Sequence, residues 1–459
     1  MHFGIQAVLA ALLAAGAQDQ QKQKPPANPP PQHDHAAMQD MPGMKMPADK
    51  NSPQMKMPGM NMVDMNPAAM ALMDLASGTS LNPAAWPMPM TMTHFGKWNT
   101  MFMATAFIGT IQQSGPRGGD KFYSPNWMMV SAEHRVGKKG AFQADLMLSL
   151  DPATITDRRY PLLFQTGETA YGKALVDGQH PHNFIMGLGF HYAHQLREDT
   201  SIELYFAPVG DPALGPVAYP HRASAMELPQ AALAHHLQDS THISYEVATV
   251  GIAHKQFKLE ASGFHGQEPG ENRWKFDRGA MDSWSARLWY FPTKNWAAQV
   301  STGRLKHPEE LESGDQERTT ASLHYSRPMP GGSWSSSFTW GRTHNTATGH
   351  NLNSYLAETV VPIRRDNFVT GRFERVDKDE LFANDRELDD RLTRTFGSTF
   401  RIGAYTAGYT RDVYWVRFAQ TGIGVNFTAY SLPSAIQPFY GQHPVGGNIF
   451  IRFRLRPAA

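Results

Sequence analysis

The chain has 459 residues, 41% of them hydrophobic and 18% charged, with a formal net charge of +1. No basic run approaches the density needed to neutralise a phosphate backbone, which excludes nucleic acid as a partner. The absence of cysteine excludes a disulfide framework, a thiolate metal site, a cysteine nucleophile and a lipid anchor on an N-terminal cysteine.

Residues 3 to 15, FGIQAVLAALLAA, form an apolar run, and Ala15 and Ala17 supply the small-x-small pattern of a secretory cleavage site. Only His2 precedes the run, so the usual basic start of a signal is missing; residues 1 to 17 are nevertheless expected to be a signal peptide. Farther along, no run of about 18 apolar residues follows, which excludes a membrane-spanning helix.

Residues 18 to 97 are expected to be a disordered, periplasm-facing tail rich in Met, His and Pro. The segment opens QDQQKQKPPANPPPQ, passes His33 and His35, and then turns methionine-rich. Proline and polar residues at this density bury too little apolar surface to offset chain entropy. The tetrad M-P-G-M occurs at Met41 to Met44 and again at Met57 to Met60, each beside a K-M-P triplet. Asn66 as a cap, Pro67 at the first position and Gly78 as a stop predict one short helix near 66 to 77. Met88, Met90 and Met92 form a further cluster before the first strand.

From Trp98 to the end the sequence reads as an antiparallel transmembrane β-barrel of about sixteen strands. The expected strands are 98–112, 126–136, 140–150, 184–196, 200–207, 241–253, 256–267, 282–291, 296–304, 317–327, 333–343, 352–361, 366–376, 396–410, 414–429 and 447–456. Connections alternate between short ones, such as Gly137 to Lys139 and His254 to Lys255, and long ones at 151–183, 208–240, 268–281 and 377–395. That phase is the layout of an outer-membrane barrel with both ends returning to the periplasm.

Within strands the period is two. Ile449, Ile451, Phe453 and Leu455 oppose Phe450, Arg452, Arg454 and Arg456, and Trp334, Phe338 and Trp340 oppose Ser335, Ser337 and Thr339. One face therefore suits hydrocarbon and the other a wet lumen. The parity switches within 241–253, which predicts a bulge.

The chemistry concentrates in sulfur and imidazole. A thioether is a soft, neutral donor, so Met41, Met44, Met46, Met55, Met57, Met60, Met62 and Met65 are candidate Cu(I) ligands, with His33 and His35 adding imidazole. In the long loops His180 and His182 share the segment Q-H-P-H-N, and two His one residue apart on an extended chain point the same way, as a metal site requires. His221 and His235-His236 lie near Asp177, Asp239 and Glu227, and the alternative for all of these is a rigid loop hydrogen-bonded inside the lumen. His191 is expected in the lumen as a hydrogen-bonding residue. The acidic run 377–391 reads as a solvated loop or a Ca²⁺ site. Arg372, Arg452, Arg454 and Glu374 would either set pore charge selectivity or pair across the lumen. No nucleophile elbow or comparable spacing marks an enzyme.

The Met/His-rich leader with its M-P-G-M repeats, followed by a barrel, resembles the copper-resistance outer-membrane proteins. The segments GETAYGKALVDGQHPHNF (167–184), GPVAYPHRASAMELPQAALAHHLQDSTH (215–242), ASGFHGQEPGENRW (261–274) and LPSAIQPFYGQHPVGG (432–447) also resemble an uncharacterised family of outer-membrane barrels. Together the resemblances imply an outer-membrane location, copper as the cargo, and periplasmic copper-handling proteins as partners beside the membrane lipid. A solute porin with no metal role and a plugged structural barrel are the competing expectations.

Overall fold

The computed structural model describes residues 66 to 455. Sixteen antiparallel strands close into one barrel: Trp98–Gln113, Asn126–Val136, Gly140–Leu148, Ile185–Arg197, Thr200–Gly210, Ser244–His254, Phe257–His265, Ser283–Thr293, Trp296–Leu305, Gln316–Met329, Gly332–Asn345, Asn351–Ile363, Asn367–Lys378, Phe400–Asp412, Ala419–Ser431 and Val445–Leu455. The first and last pair with each other, Ile108 opposite Ile451, so the sheet has no free edge. Each expected strand is present. The largest shift is at the strand expected from 414, which begins at Ala419 because 413–418 form the turn before it.

Two short strands prolong the wall beside the first barrel strand, Thr91–Phe95 on one edge and Gly119–Tyr123 on the other. A separate hairpin, Tyr160–Ala170 with Lys173–Gln179, lies within the connection 149–184. Links at one end are short (137–139, 198–199, 255–256, 294–295, 330–331, 364–366, 413–418), whereas the other end carries 149–184, 211–243, 266–282 and 379–399.

Exposure separates the two faces of the wall. Val250, Leu259, Val300, Phe338 and Phe427 are each at least half exposed, while Glu260, Arg287, Thr339 and Arg452 are buried. A soluble sandwich would bury the first set. Charged groups inside and aliphatic groups outside fit hydrocarbon around a closed barrel, in which every strand finds its partners and no backbone edge meets lipid. The described residues form a closed sixteen-stranded antiparallel barrel of the transmembrane kind. The parity switch has the expected cause: pairing slips between Tyr245 and Ala248, where Glu246 adopts φ +50°.

The lumen is filled. Loop 211–243 folds inward and is buried almost throughout. Arg222 Nε donates to Glu358 at 2.6 Å and its Nη1 to Asp239 at 3.0 Å. Glu227 pairs with Arg452 and Arg454 of the last strand. Glu374 accepts from the Ala234 amide at 2.9 Å, and Ser301 from the Gly215 amide at 2.9 Å. The expected luminal arginines are thus paired: Arg372 meets Glu358 at 2.9 Å, and Arg452 also meets Asp412.

From the short-link end, residues 66 to 90 enter the lumen as well, where a disordered tail was expected. Asn66 caps the helix Pro67–Met73 through the Ala69 amide and donates from Nδ2 to the Gly140 carbonyl at 2.9 Å. Ala68, Ala69, Leu72 and Leu75 then bury against Ala141 and Ala193. That apolar face is what the polar tail before it lacks, and it anchors the segment. The helix stops at Met73, and Gly78 serves the next turn, at φ +51° with the Asp211 carbonyl 2.4 Å from where a Cβ would sit. Asn82 joins the two plugs, accepting from the Ala223 amide and donating to the His221 carbonyl.

At the long-loop end an apolar cluster including Phe164, Leu237, Phe382, Leu392 and Tyr440 roofs the mouth. The acidic run contributes to this roof as the helix Arg386–Phe396, capped by Asp385, rather than as a solvated loop; its Leu392 is buried.

Replacing Glu227 by alanine leaves buried Arg454 without a carboxylate and Arg452 with Asp412 alone. Thermal or urea unfolding of the detergent-solubilised barrel should register a loss of about 3 kcal/mol, the cost typical of breaking a buried ion pair.

Candidate functional site

The inward loop and the 149–184 connection bring five histidines into one contiguous series. Successive ring centroids lie 5.4 Å apart for His180 and His236, 5.1 Å for His236 and His235, 5.2 Å for His235 and His242, and 5.5 Å for His242 and His182. His221 stands apart, edge-on to Trp127 at 4.3 Å. The ligand nitrogens of His180, His235 and His236 all fall within 4.8 Å of one another. That spacing is what a three-imidazole metal site needs.

Carboxylates hold the rings. His235 Nδ1 lies 2.6 Å from Asp239 Oδ1, and the second oxygen of Asp239 takes the Tyr219 amide at 2.9 Å and Arg222 at 3.0 Å. A carboxylate on one ring nitrogen orients the other as a ligand. His182 is held by Asp151 at 2.8 Å on Nδ1 and by the Tyr219 hydroxyl at 3.2 Å on Nε2. Burial pushes the His235 imidazole down to about 4 and lowers His180, His236 and His242. They are therefore neutral at ordinary pH, the form that binds metal.

A second feature adjoins the first. Met90, Met101, Met103, Met129, Met147 and Met186 are buried together, with Met73, Met88 and Met92 packed against them. Barrel lumens are normally polar, so thioethers gathered there stand out. A cavity of about 20 Å³ is lined by Met129, Met147, Met186, Asp211 and His242, and so joins the methionines to the histidine series.

Among the residues expected to bind metal, Met41, Met44, Met46, Met55, Met57, Met60, Met62, Met65, His33 and His35 lie outside the described residues. His180 and His182 are both luminal, but they do not point into one site. The Pro181 segment sends His180 to His236 and His182 to Asp151 and Tyr219. His191 is luminal as expected, 2.7 Å from Asp145 and stacked on Tyr205. Met88, Met90 and Met92 were noted in the sequence as a cluster and join the luminal group; Met101, Met103, Met129, Met147, Met186 and His242 were not singled out, although Met101 and Met103 share the parity of Thr105, and Met129 that of Ser131 and Glu133.

Burial first, and the neighbouring His182 second, push His221 down to about 3. Below pH ~6.5 the unfolded chain takes up a proton that folded His221 refuses, so stability falls with acid, by on the order of 2 kcal/mol at pH ~5. The loss in thermal stability between pH ~7 and pH ~5 should shrink by that order in His221→Gln.

No protein-family model and no curated relative matches the sequence. Among solved structures the chain is similar to the anion-selective porin from Comamonas acidovorans, with a TM-score of 0.47 and 10% identity over 78% of this chain and 100% of that one. It is likewise similar to the outer membrane channel DcaP of Acinetobacter baumannii, with a TM-score of 0.47 and 8% identity over 80% and 99%. Salmonella typhi OmpF in complex with daunomycin gives 0.46 and 9% over 80% and 100%. These likenesses are of fold alone.

Proposed function

We propose that this outer-membrane barrel handles a soft or borderline transition-metal cation, copper foremost, and passes it along donors inside a plugged lumen. The observation that supports this reading is the luminal methionine cluster meeting the histidine series at one small cavity. Sulfur suits Cu(I), and neutral imidazole suits either oxidation state of copper. In this proposal the methionines of residues 41 to 65, with His33 and His35, capture the ion on the periplasmic side. Periplasmic copper-handling proteins deliver it there.

A second reading has its own observation. A chamber of about 320 Å³ opens at the short-link end, lined by residues including Trp86, Met88, Glu227 and Arg454, and is large enough for a small organic solute. It ends against the inward loop, so free diffusion through the barrel would require that loop to leave.

The full chain in detergent separates the two. Competition with a chromophoric chelator should give the wild type at least one more Cu(I) equivalent than a Met90→Leu, Met129→Leu, Met147→Leu variant. Leucine keeps the volume and the fold at a cost of under about 1.5 kcal/mol per site. Equal Cu(I) binding by the two would remove the luminal route. Liposome swelling by organic solutes that persists without residues 18 to 65 would instead establish a porin.

A further inference from the structure

Both ring nitrogens of His236 lack a hydrogen-bond partner although the side chain is only 8% exposed. The nearest carboxylate, Glu268 Oε2, lies 3.7 Å from Nδ1, beyond hydrogen-bond reach, and both Glu268 oxygens are themselves without a partner. Leaving such groups buried and unsatisfied costs roughly 1–3 kcal/mol each, more when charged. His236 Nδ1 and Glu268 Oε2, facing each other across a gap too wide for a hydrogen bond, describe a place for a cation.

Glu309 completes the set. Ligand atoms of His236, Glu268 and Glu309 lie within 4.8 Å of one another. A cavity of about 40 Å³ opens beside them, lined by His236, Glu309, Glu312, His350, Asp379 and Glu380 among others, room enough for an ion with a water. Gly167 keeps this space clear, since a Cβ there would come within 2.5 Å of His236 Nδ1. Burial and mutual repulsion push the Glu309, Glu312 and Glu380 carboxyls up. Two protein cations stand near: Arg318, which neighbours Glu268 and Glu309 and donates to Ser240 at 2.8 Å and Gln316 at 3.2 Å, and Lys378, whose ammonium is engaged at 3.4 Å with Gln165.

We infer that His236, Glu268 and Glu309 form a second cation site at the outer mouth, sharing His236 with the His180–His235–His236 set. One imidazole plus two carboxylates suits a borderline divalent ion such as Zn²⁺, Co²⁺ or Cu²⁺. With both ring nitrogens unpartnered, a single imidazole can serve both sets, and an ion can change ligands without being released into the lumen. The inference rests on the metal-handling reading, for which it supplies the outer end.

Co²⁺ titration of the full chain in detergent, read by its visible absorption and by bound metal, tests this. The wild type should fill in two steps. Glu268→Gln with Glu309→Gln should weaken one step at least tenfold, His180→Ala the other, and His236→Ala both. Heat-modifiable mobility in SDS gels checks that each variant is folded, and His236→Asn replaces His236→Ala if that variant is not. A carboxylate variant that titrates as wild type overturns the outer site, and if His180→Ala still loses an equivalent, the inner reading stands. Loss in the carboxylate variant with no loss in either His236 variant overturns the sharing of His236. Unchanged binding in all variants removes this inference and the luminal route together.

Discussion

The buried ion pairs that hold loop 211–243 inside the barrel are what the rest of the interior depends on. Arg222 lies between Glu358 of the wall and Asp239 of its own loop, and Glu227 lies between Arg452 and Arg454. Desolvating so many charges is expensive, and the expense is recovered only because each carboxylate meets more than one donor in a fixed geometry. Asp239 shows the coupling most directly. The same carboxylate that receives Arg222 also orients His235, so the loop's anchor and the imidazole's direction are one arrangement.

A barrel of this size without such a loop would enclose water, and its luminal groups would be solvated one by one. With the loop in place and residues 66 to 90 rising to meet it, imidazoles and thioethers are removed from water and brought close. That change of medium keeps His180, His235, His236 and His242 neutral and leaves His236 unsatisfied. The same filling makes passive diffusion of a bulky solute incompatible with this conformation, whereas a bare ion stepping between donors needs only cavities of the size observed.

The wall was legible in the sequence because a strand's two faces alternate strictly and because short and long links keep phase over the whole barrel; no single segment had to be read correctly alone. Even the bulge near Glu246 showed as a break in that alternation. The interior was not legible, for a different reason. Arg222 and Glu358 are 136 residues apart and Glu227 and Arg452 are 225 apart, so nothing local marks them as partners. A loop of mixed Ala, Pro, His and Gln reads the same whether it is solvated outside or folded within. His180 and His182 were read as a pair from their spacing, but proline between them sets the backbone, and tertiary partners decide where each ring goes. Met101, Met103 and Met129 could have been recognised, since each shares a parity with polar luminal neighbours; an apolar side chain on a wet face is the signal.

The donors fall into three groups inside the barrel. Sulfur gathers where Met90 meets the long-loop ends of the early strands at Met129, Met147 and Met186, nitrogen occupies the inward loop, and oxygen collects around Glu309 and Glu380. On the proposed reading, sulfur, nitrogen and oxygen donors would not hold any one ion with uniform strength. A site that holds an ion too tightly retains it, and one that holds it too weakly never takes it up; graded donors separated by single ligand exchanges avoid both. The apolar roof supplies the remaining condition. Phe164, Phe382 and Tyr440 close that mouth with apolar surface, and on the proposed reading an ion would leave only when this cluster opens.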